Sequence, residues 1–242
     1  MALNPAFVTQ LKSGESYFRI TSPTFLTTDA AFHSQVVDGQ GGVNSATGAR
    51  YNYPGVETVY LTEDVETCLA EKMFYFHREV IRELDLIHIL HSSSPKFERR
   101  FVLWKIQFKS DVDNIFDMES AGSLPFFGIY PSLTTNPSQD YKHLKEKRAT
   151  IQSNGYLGLR APSTRSTNGG FMVVVFKDQS SNVFSITPYH INFRLITDAG
   201  VPFNNHILET LDFTAGEVKV AGAALSSELL KYSSWSKIQF HH

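Results

Sequence analysis

The stretch from residue 48 to residue 71 holds the side-chain types best suited to chemistry, because Arg50, Tyr60 and Glu71 follow one another closely there. An arginine fork binds phosphate or carboxylate groups bidentately, an aromatic face stacks on planar rings, and a fixed carboxylate stabilises developing positive charge. Taken singly, each has a simpler explanation. Arg50 would be a surface arginine and Glu71 a solvated carboxylate, and the later Ser163 would be a turn serine beside a proline. Their meaning therefore depends on the elements that bring them together.

The common catalytic and metal-binding motifs are missing from the sequence. It contains no G-x-S-x-G elbow and no H-E-x-x-H pair. The glycine-rich loop 34–48 is not followed by the helix that a dinucleotide-binding G-x-G-x-x-G turn requires. His88 and His91 lie in a strand-like run, where residues three apart point to opposite faces. The single cysteine, Cys68, is expected to be a small buried hydrophobic residue, so we predict no metal site.

The composition is typical of a soluble globular protein, with 42% hydrophobic and 19% charged residues. The net charge of −2 creates no global field that favours nucleic acid or an anionic membrane surface. An anionic ligand would therefore need a local basic pocket. No run approaches the roughly 20 apolar residues of a membrane span, and the N-terminus lacks a signal-peptide pattern. We expect a cytoplasmic protein that binds neither nucleic acid nor membrane.

Many short strand-like runs and few helices predict an α+β fold instead of a doubly wound one. Residues 109–138 show no clear periodicity, and residues 1–14 are interpreted as a short lead-in. The predicted strands are 16–20, 56–61, 86–90, 100–108, 156–160, 171–176, 184–186 and 191–196.

Three helices are predicted. The first runs from about residue 63 to 84, and its acidic first turn complements the helix dipole. Its apolar stripe includes Val65 and Leu69, and Glu71 lies off that stripe. The second, 141–152, carries a basic patch, and a short third helix is expected near 225–230.

Three blocks in order make the chain resemble the RES domain family, which is named for its Arg, Glu and Ser. An aromatic-Arg strand is supplied by residues 17–20. A Gly-x-Arg-aromatic-Asn turn, a Pro-Gly pair, a strand with Tyr and a helix with Glu are supplied by residues 48–71. A glycine-led strand that ends in Pro-Ser and precedes an apolar strand is supplied by residues 154–163 and 171–176. Tyr51 stands where the family frequently has Phe or Trp.

The resemblance implies a mixed β-sheet core with flanking helices, similar to that of ADP-ribosyltransferases. It also implies one domain over residues 1–242. We expect its core at 15–72 and 153–196, a long divergent insertion at 73–152 and a C-terminal extension at 197–242.

The resemblance further implies that NAD⁺ is the substrate and not a recycled cofactor, and it assigns roles to six residues. Arg19 and Arg50 would bind the pyrophosphate, since guanidinium forks suit such groups. Tyr60, or alternatively Tyr51, would stack on the nicotinamide ring.

Two further residues complete the implied site. Glu71 would stabilise the positive charge that builds on the ribose as nicotinamide leaves. Ser163 would hydrogen-bond the ribose or a phosphate. No metal is needed in this chemistry, because nicotinamide is already a cationic leaving group.

The implied activity is that of an NAD⁺ glycohydrolase or phosphorylase that depletes NAD⁺ as a toxin. Two alternatives stay open: a mono-ADP-ribosyltransferase that modifies a protein, and a non-catalytic nucleotide-binding module. Toxin members pair with an antitoxin that covers the site, so a cognate antitoxin is an expected partner. A delivered effector is the other possible context.

Overall fold

A computed structural model describes residues 3–22, 35–46, 48–72, 97–129, 141–163, 169–195, 210–211 and 238–239. Within these ranges the fold is an eight-stranded mixed sheet with the spatial order β1-β5-β6-β7-β3-β2-β4-β8. Neighbouring strands are antiparallel except for β5 and β6, which are parallel. The predicted α+β class is confirmed. The strands are β1 (Val8–Leu11), β2 (Tyr17–Thr21), β3 (Val59–Thr62), β4 (Phe97–Phe108), β5 (Val112–Asp117), β6 (Gly158–Pro162), β7 (Phe171–Val175) and β8 (Val183–Leu195).

Short helices connect and cover these strands. They are α1 (Gln40–Val43), α2 (residues 65–72 of the described chain), α3 (Ser123–Phe126) and α4 (Tyr141–Ser153), with 3-10 turns at Pro5–Phe7 and Ser180–Asn182. Helices α3 and α4 lie between β5 and β6, where a parallel pair requires a long crossover. A separate two-stranded pair joins β9 (Thr210–Leu211) to β10 (Ile238–Gln239).

Both faces of the sheet are packed, and β7 shows why its sequence is so apolar. Met172 and Val174 belong to one buried cluster, whereas Val173 and Val175 belong to another. Since alternate residues of a strand point to opposite faces, β7 is buried on both sides. The cluster around Met172 also holds Leu144 of α4, which places that helix over one face of the sheet.

Several element boundaries differ from the prediction for identifiable reasons. Strand β5 falls in the stretch without periodicity, because Asn114 adopts a left-handed φ of 57° and breaks the alternation. Strand β6 begins two residues later than predicted, and Tyr156, which precedes it, packs against Phe116. Strand β8 is continuous through Pro188, which is tolerated because β4 is its only described neighbour in the sheet.

Other predictions fall on residues that the structure does not describe. They are the strand 86–90, the histidines at 88 and 91, the first helix beyond residue 72 and the helix near 225–230. In the described part of the chain, no helix is long and apolar enough to cross a membrane.

The expected insertion at 73–152 requires a correction. Residues 97–108 and 112–117 form β4 and β5, which pair with β2 and β6 inside the eight-stranded sheet. The described part of this segment is therefore integral to the sheet. The local sequence does not predict this, because β4 and β5 pair with strands that lie far away in the sequence.

Candidate active site

A tight turn presents Arg50. The amide of Ala49 donates to the carbonyl of Asn52 at 3.1 Å, and the amide of Asn52 donates back to Ala49 at 3.4 Å. Gly48 precedes the turn with a φ of +71°, and a Cβ there would collide with the Asn52 carbonyl oxygen. The glycine of the Gly-x-Arg-aromatic-Asn sequence is thus needed for this turn to form. The turn places Arg50 and Tyr51 at its tip.

Tyr60 of β3 fastens this turn to the sheet. Its hydroxyl accepts the Tyr51 amide hydrogen at 3.0 Å and donates to Asn52 Oδ1 at 2.8 Å. Both bonding capacities of the phenol are used in positioning the turn. Tyr60 also lines the cavity described below.

Helix α2 begins with an N-cap that fixes its direction. The amide of Thr67 donates to Asp64 Oδ1 at 2.6 Å, and the hydroxyl of Thr67 donates to Asp64 Oδ2 at 2.8 Å. Thr67 also lies against Gly170, where any Cβ would overlap the threonine hydroxyl. The missing side chain at Gly170 therefore lets α2 approach the start of β7 closely.

This close approach brings Glu71 to Ser163. Glu71 lies one helical turn beyond Thr67, and Ser163 follows β6 and donates its amide to the Gly170 carbonyl at 2.8 Å. The Ser163 hydroxyl donates to Glu71 Oε1 at 2.6 Å, although the two residues lie 92 positions apart. The structure thus unites two members of the predicted site by a short hydrogen bond to a carboxylate.

These elements surround a cavity of about 670 Å³. Of the predicted residues, Arg19, Arg50, Tyr60 and Glu71 line it, whereas Ser163 reaches it through Glu71. Its lining carries the cations Arg19, Arg50, Lys72 and Lys145 against one carboxylate, Glu71. A chain with a net charge of −2 thus holds a local basic pocket, as an anionic ligand would need. The remaining lining residues are Phe18, Ile20, Gly48, Ala49, Leu61, Thr62, Cys68, Tyr141 and Met172.

Arg50 is buried to 95% of its surface, yet it stays charged. Burial alone lowers the pKa of its guanidinium, but the oxygens of Tyr51, Glu71 and Tyr141 together raise that pKa above its ordinary value. The guanidinium carbon lies 5.5 Å from the centroid of the Tyr141 ring, within cation–π range. Arg50 is therefore a fixed cation that faces the carboxylate of the site.

Arg19 is held by the segment 36–41, which includes the start of α1. Its Nη1 donates to the carbonyl of Val36. Its Nη2 lies so close to Gly41 that a Cβ on this glycine would come within 2.9 Å of it. Burial lowers the pKa of Arg19, and the Asp38 carboxylate acts in the opposite sense. Part of its donor capacity is thus used within the fold, although the side chain lines the cavity.

The expected alternative stacking role of Tyr51 requires a correction. Its side chain is 0% exposed and packs in the cluster around Met118 and Phe116, outside the cavity lining. The two neighbouring side chains of the turn point in different directions: Arg50 lines the cavity, and Tyr51 is buried in the core. Tyr51 therefore anchors the turn and offers no face to a ligand.

Lys72, Tyr141 and Lys145 line the cavity, although the sequence does not predict them as site residues. Lys72 follows Glu71 directly, and its Nζ lies 4.7 Å from the centroid of the Phe101 ring. Tyr141 and Lys145 belong to α4, the helix with the basic patch. No local motif marks them, because they reach the cavity only through the crossover between β5 and β6.

Cys68 lies in the cavity wall as an inert thiol. It is buried as expected, and burial raises its pKa to about 12. Within the described ranges, no three His, Cys, Asp or Glu side chains are grouped so that they could hold a metal ion.

Comparisons with known proteins agree with this architecture. The family model described as "RES domain" matches residues 18–198. A chain of the crystal structure of the M. tuberculosis MbcT-MbcA toxin-antitoxin complex matches with a TM-score of 0.50 and 15% sequence identity. The match covers 77% of this chain and 93% of that chain, and at this identity it shows a shared fold. A comparison with curated proteins gives no match.

Proposed function

The chain belongs to the RES domain family, and from this premise we propose that it is an enzyme that cleaves NAD⁺ as a glycohydrolase or phosphorylase. The single observation that carries the proposal is the short bond from Ser163 to Glu71 beside the charged Arg50. These three residue types give the family its name. Arg50 and Glu71 line the cavity, and Ser163 donates to Glu71 although it lies 92 positions away.

The chemistry follows from the charges in the site. When the bond between the ribose C1′ and the nicotinamide nitrogen breaks, both bonding electrons go to nicotinamide, which leaves as a neutral molecule. Positive charge then develops on the ribose ring, as in other glycosyl transfers. The Glu71 carboxylate, oriented by Ser163, stabilises this charge. Water or phosphate then supplies the electron pair that forms the new bond at C1′, and a proton is released to solvent.

The other lining residues serve binding. The cations around Arg50 would favour the anionic diphosphate of the substrate, and Tyr60, which lines the same cavity, would stack on nicotinamide. We retain Tyr60 as the stacking residue and Tyr51 as the anchor of the turn. NAD⁺ is consumed in this scheme, so no recycled cofactor takes part.

The acceptor is tested by analysing products of an NAD⁺ incubation with and without inorganic phosphate. Hydrolysis yields nicotinamide and ADP-ribose in both conditions, whereas phosphorolysis yields a phosphorylated ADP-ribose only with phosphate. Incorporation of label from NAD⁺ into a discrete protein, without free ADP-ribose, would instead indicate the transferase. Absence of every product would refute cleavage of NAD⁺ altogether.

A protein partner is proposed on separate grounds. The structurally similar chain comes from a toxin-antitoxin complex, and we propose that this chain likewise acts as a toxin with a cognate antitoxin over the cavity mouth. Growth arrest on expression, relieved by co-expression of a candidate antitoxin, would support this. Growth arrest of equal strength with Glu71→Gln would argue against a toxin that acts through this site.

A further inference from the structure

Arg160 of β6 joins the strand ends that lie next to the candidate site. Its Nε and Nη2 donate to the two carboxylate oxygens of Glu63, at 2.6 and 3.1 Å. Such a bidentate pair is both strong and directional. The guanidinium carbon also lies 3.5 Å from the centroid of the Phe171 ring at the start of β7. One side chain thus joins β6 to the end of β3 and to the start of β7.

The remaining nitrogen of Arg160 makes a weaker contact on the side of β5. Nη1 donates to Asp117 Oδ1 at 3.4 Å and to Glu119 Oε2 at 3.2 Å. The Glu119 side chain is 61% exposed, and solvent leaves an exposed pair of this kind little strength. The bidentate pair with Glu63 therefore contributes more to the position of Arg160.

The pair with Glu63 leads directly to Glu71. Glu63 precedes Asp64, whose carboxylate caps α2 at Thr67. The Glu63 amide also donates to the carbonyl of Phe171 at 3.2 Å, so its backbone and its side chain are both held. Because the geometry of an α-helix is regular, the position of Glu71 in α2 follows from the place where the helix starts.

The same arginine also leads to Ser163, which lies three residues after it. The Ser163 amide donates to the Gly170 carbonyl, directly before Phe171. Arg160 thus contacts each element that brings Ser163 and Glu71 within their 2.6 Å hydrogen bond. Arg160 does not line the cavity, so any effect that it has on the reaction has to pass through the residues that it positions.

We propose that Arg160, through its bidentate pair with Glu63, is a positioning residue that holds Glu71 and Ser163 within hydrogen-bonding distance. The proposal deepens the proposed function, on which it rests, because it concerns the geometry of the same pair of residues. It assigns to a side chain outside the cavity the alignment of the carboxylate inside it.

The test measures the coupling between Ser163 and Glu71 in the full chain without turnover. The unfolding equilibrium constants of wild type, Ser163→Ala, Glu71→Ala and the double variant form a mutant cycle. We expect a coupling of about tenfold, which is the effect of one hydrogen bond to a charged group. In the Arg160→Met background the coupling should fall below about twofold, because the two residues are no longer held together.

Two isosteric substitutions make the test specific to the start of α2. Glu63→Gln removes the charge that Arg160 binds there and should reduce the coupling as Arg160→Met does. This milder variant also decides the question if Arg160→Met does not fold. Glu119→Gln removes a charge from the other contact of Arg160 and is the matched control, so the coupling should stay at about tenfold.

The kinetics of nicotinamide release provide a second readout. Arg160→Met should lower kcat about tenfold and change KM less than about twofold, since it misaligns the carboxylate without altering the cavity lining. In the Ser163→Ala background the same substitution should lower kcat by less than a further factor of about two, because the bond through which it acts is already absent.

Three results would overturn the positioning role: a coupling that persists in both Arg160→Met and Glu63→Gln, no coupling in the wild type, or an equal fall in Glu119→Gln. None of them depends on turnover. Loss of coupling in Arg160→Met and Glu63→Gln without nicotinamide release by the wild type would contradict the proposed function and leave the positioning role intact. Glu71-dependent nicotinamide release together with unchanged coupling in these variants would do the reverse.

Discussion

In the proposed mechanism Ser163 is a positioning residue, because it bonds Glu71 but does not itself line the cavity. Its hydroxyl donates to Glu71 Oε1 at 2.6 Å. Ser163→Ala should lower kcat about tenfold, because a misoriented carboxylate stabilises the developing charge less well. Steady-state nicotinamide release measures this, and Ser163→Thr, which keeps a hydroxyl, should retain most of the rate. Equal rates for the Ala variant and wild type would show that the bond has no catalytic role.

The Tyr60 hydroxyl is predicted to matter through the turn that it fastens. Tyr60→Phe removes the acceptor of the Tyr51 amide and the donor to Asn52 Oδ1. We expect the free energy of unfolding to fall by about 1–2 kcal/mol, together with a higher KM for NAD⁺ as Arg50 loses its fixed position. Denaturant titration and steady-state kinetics measure the two effects.

Tyr156→Phe provides a matched control for this variant. The Tyr156 hydroxyl bonds the amide and carbonyl of Asn4, each at 3.2 Å, and Tyr156 does not line the cavity. It should therefore lose comparable stability without a change in KM. If both variants shifted KM equally, the effect would be general loosening and not displacement of the turn.

At the scale of elements, the contact between α2 and β7 determines whether Glu71 reaches Ser163. A Cβ on Gly170 would overlap the hydroxyl of Thr67. Gly170→Ala should therefore push α2 away, lower the free energy of unfolding by about 1–3 kcal/mol and reduce nicotinamide release. Adding Thr67→Ala makes room and should recover part of both losses. Additive effects of the two substitutions would contradict this packing account.

The sequence predicts the helices and strands whose own residues show a clear hydrophobic periodicity. The stripe with Val65 and Leu69 is buried as predicted, and α4 ends within one residue of its predicted boundary. Strand β5 could not be predicted, because the left-handed Asn114 interrupts its alternation. The continuity of β8 through Pro188 depends on its place beside β4, which the local sequence does not contain.

The sequence predicts only those site residues that lie in the blocks resembling the family. Arg50, Tyr60 and Glu71 lie in one block, and their meeting at one cavity follows from the turn, strand and helix between them. The burial of Tyr51 and the contribution of Lys145 depend on the crossover that lays α4 over the sheet. Such long-range packing has no signature at the positions concerned.

At the scale of the whole molecule, charge is distributed unevenly. The chain as a whole carries a net charge of −2, but four cations and one carboxylate line the cavity. Such focusing raises the local concentration of an anionic substrate and weakens with added salt. The anionic dinucleotide proposed as substrate is a ligand of the kind that such a basic pocket favours.

The central claim is that Glu71 makes this cavity a catalyst of NAD⁺ cleavage. The most direct measurement is nicotinamide release from NAD⁺ by the pure protein, compared between wild type, Glu71→Gln and Glu66→Gln. Glu66 also lies on α2 but does not line the cavity, so its variant controls for loss of a carboxylate from this helix. We predict release by wild type and by Glu66→Gln, and at least about a hundredfold slower release by Glu71→Gln, consistent with loss of a main electrostatic contribution. No release by wild type, or equal release by all three proteins, would contradict the claim.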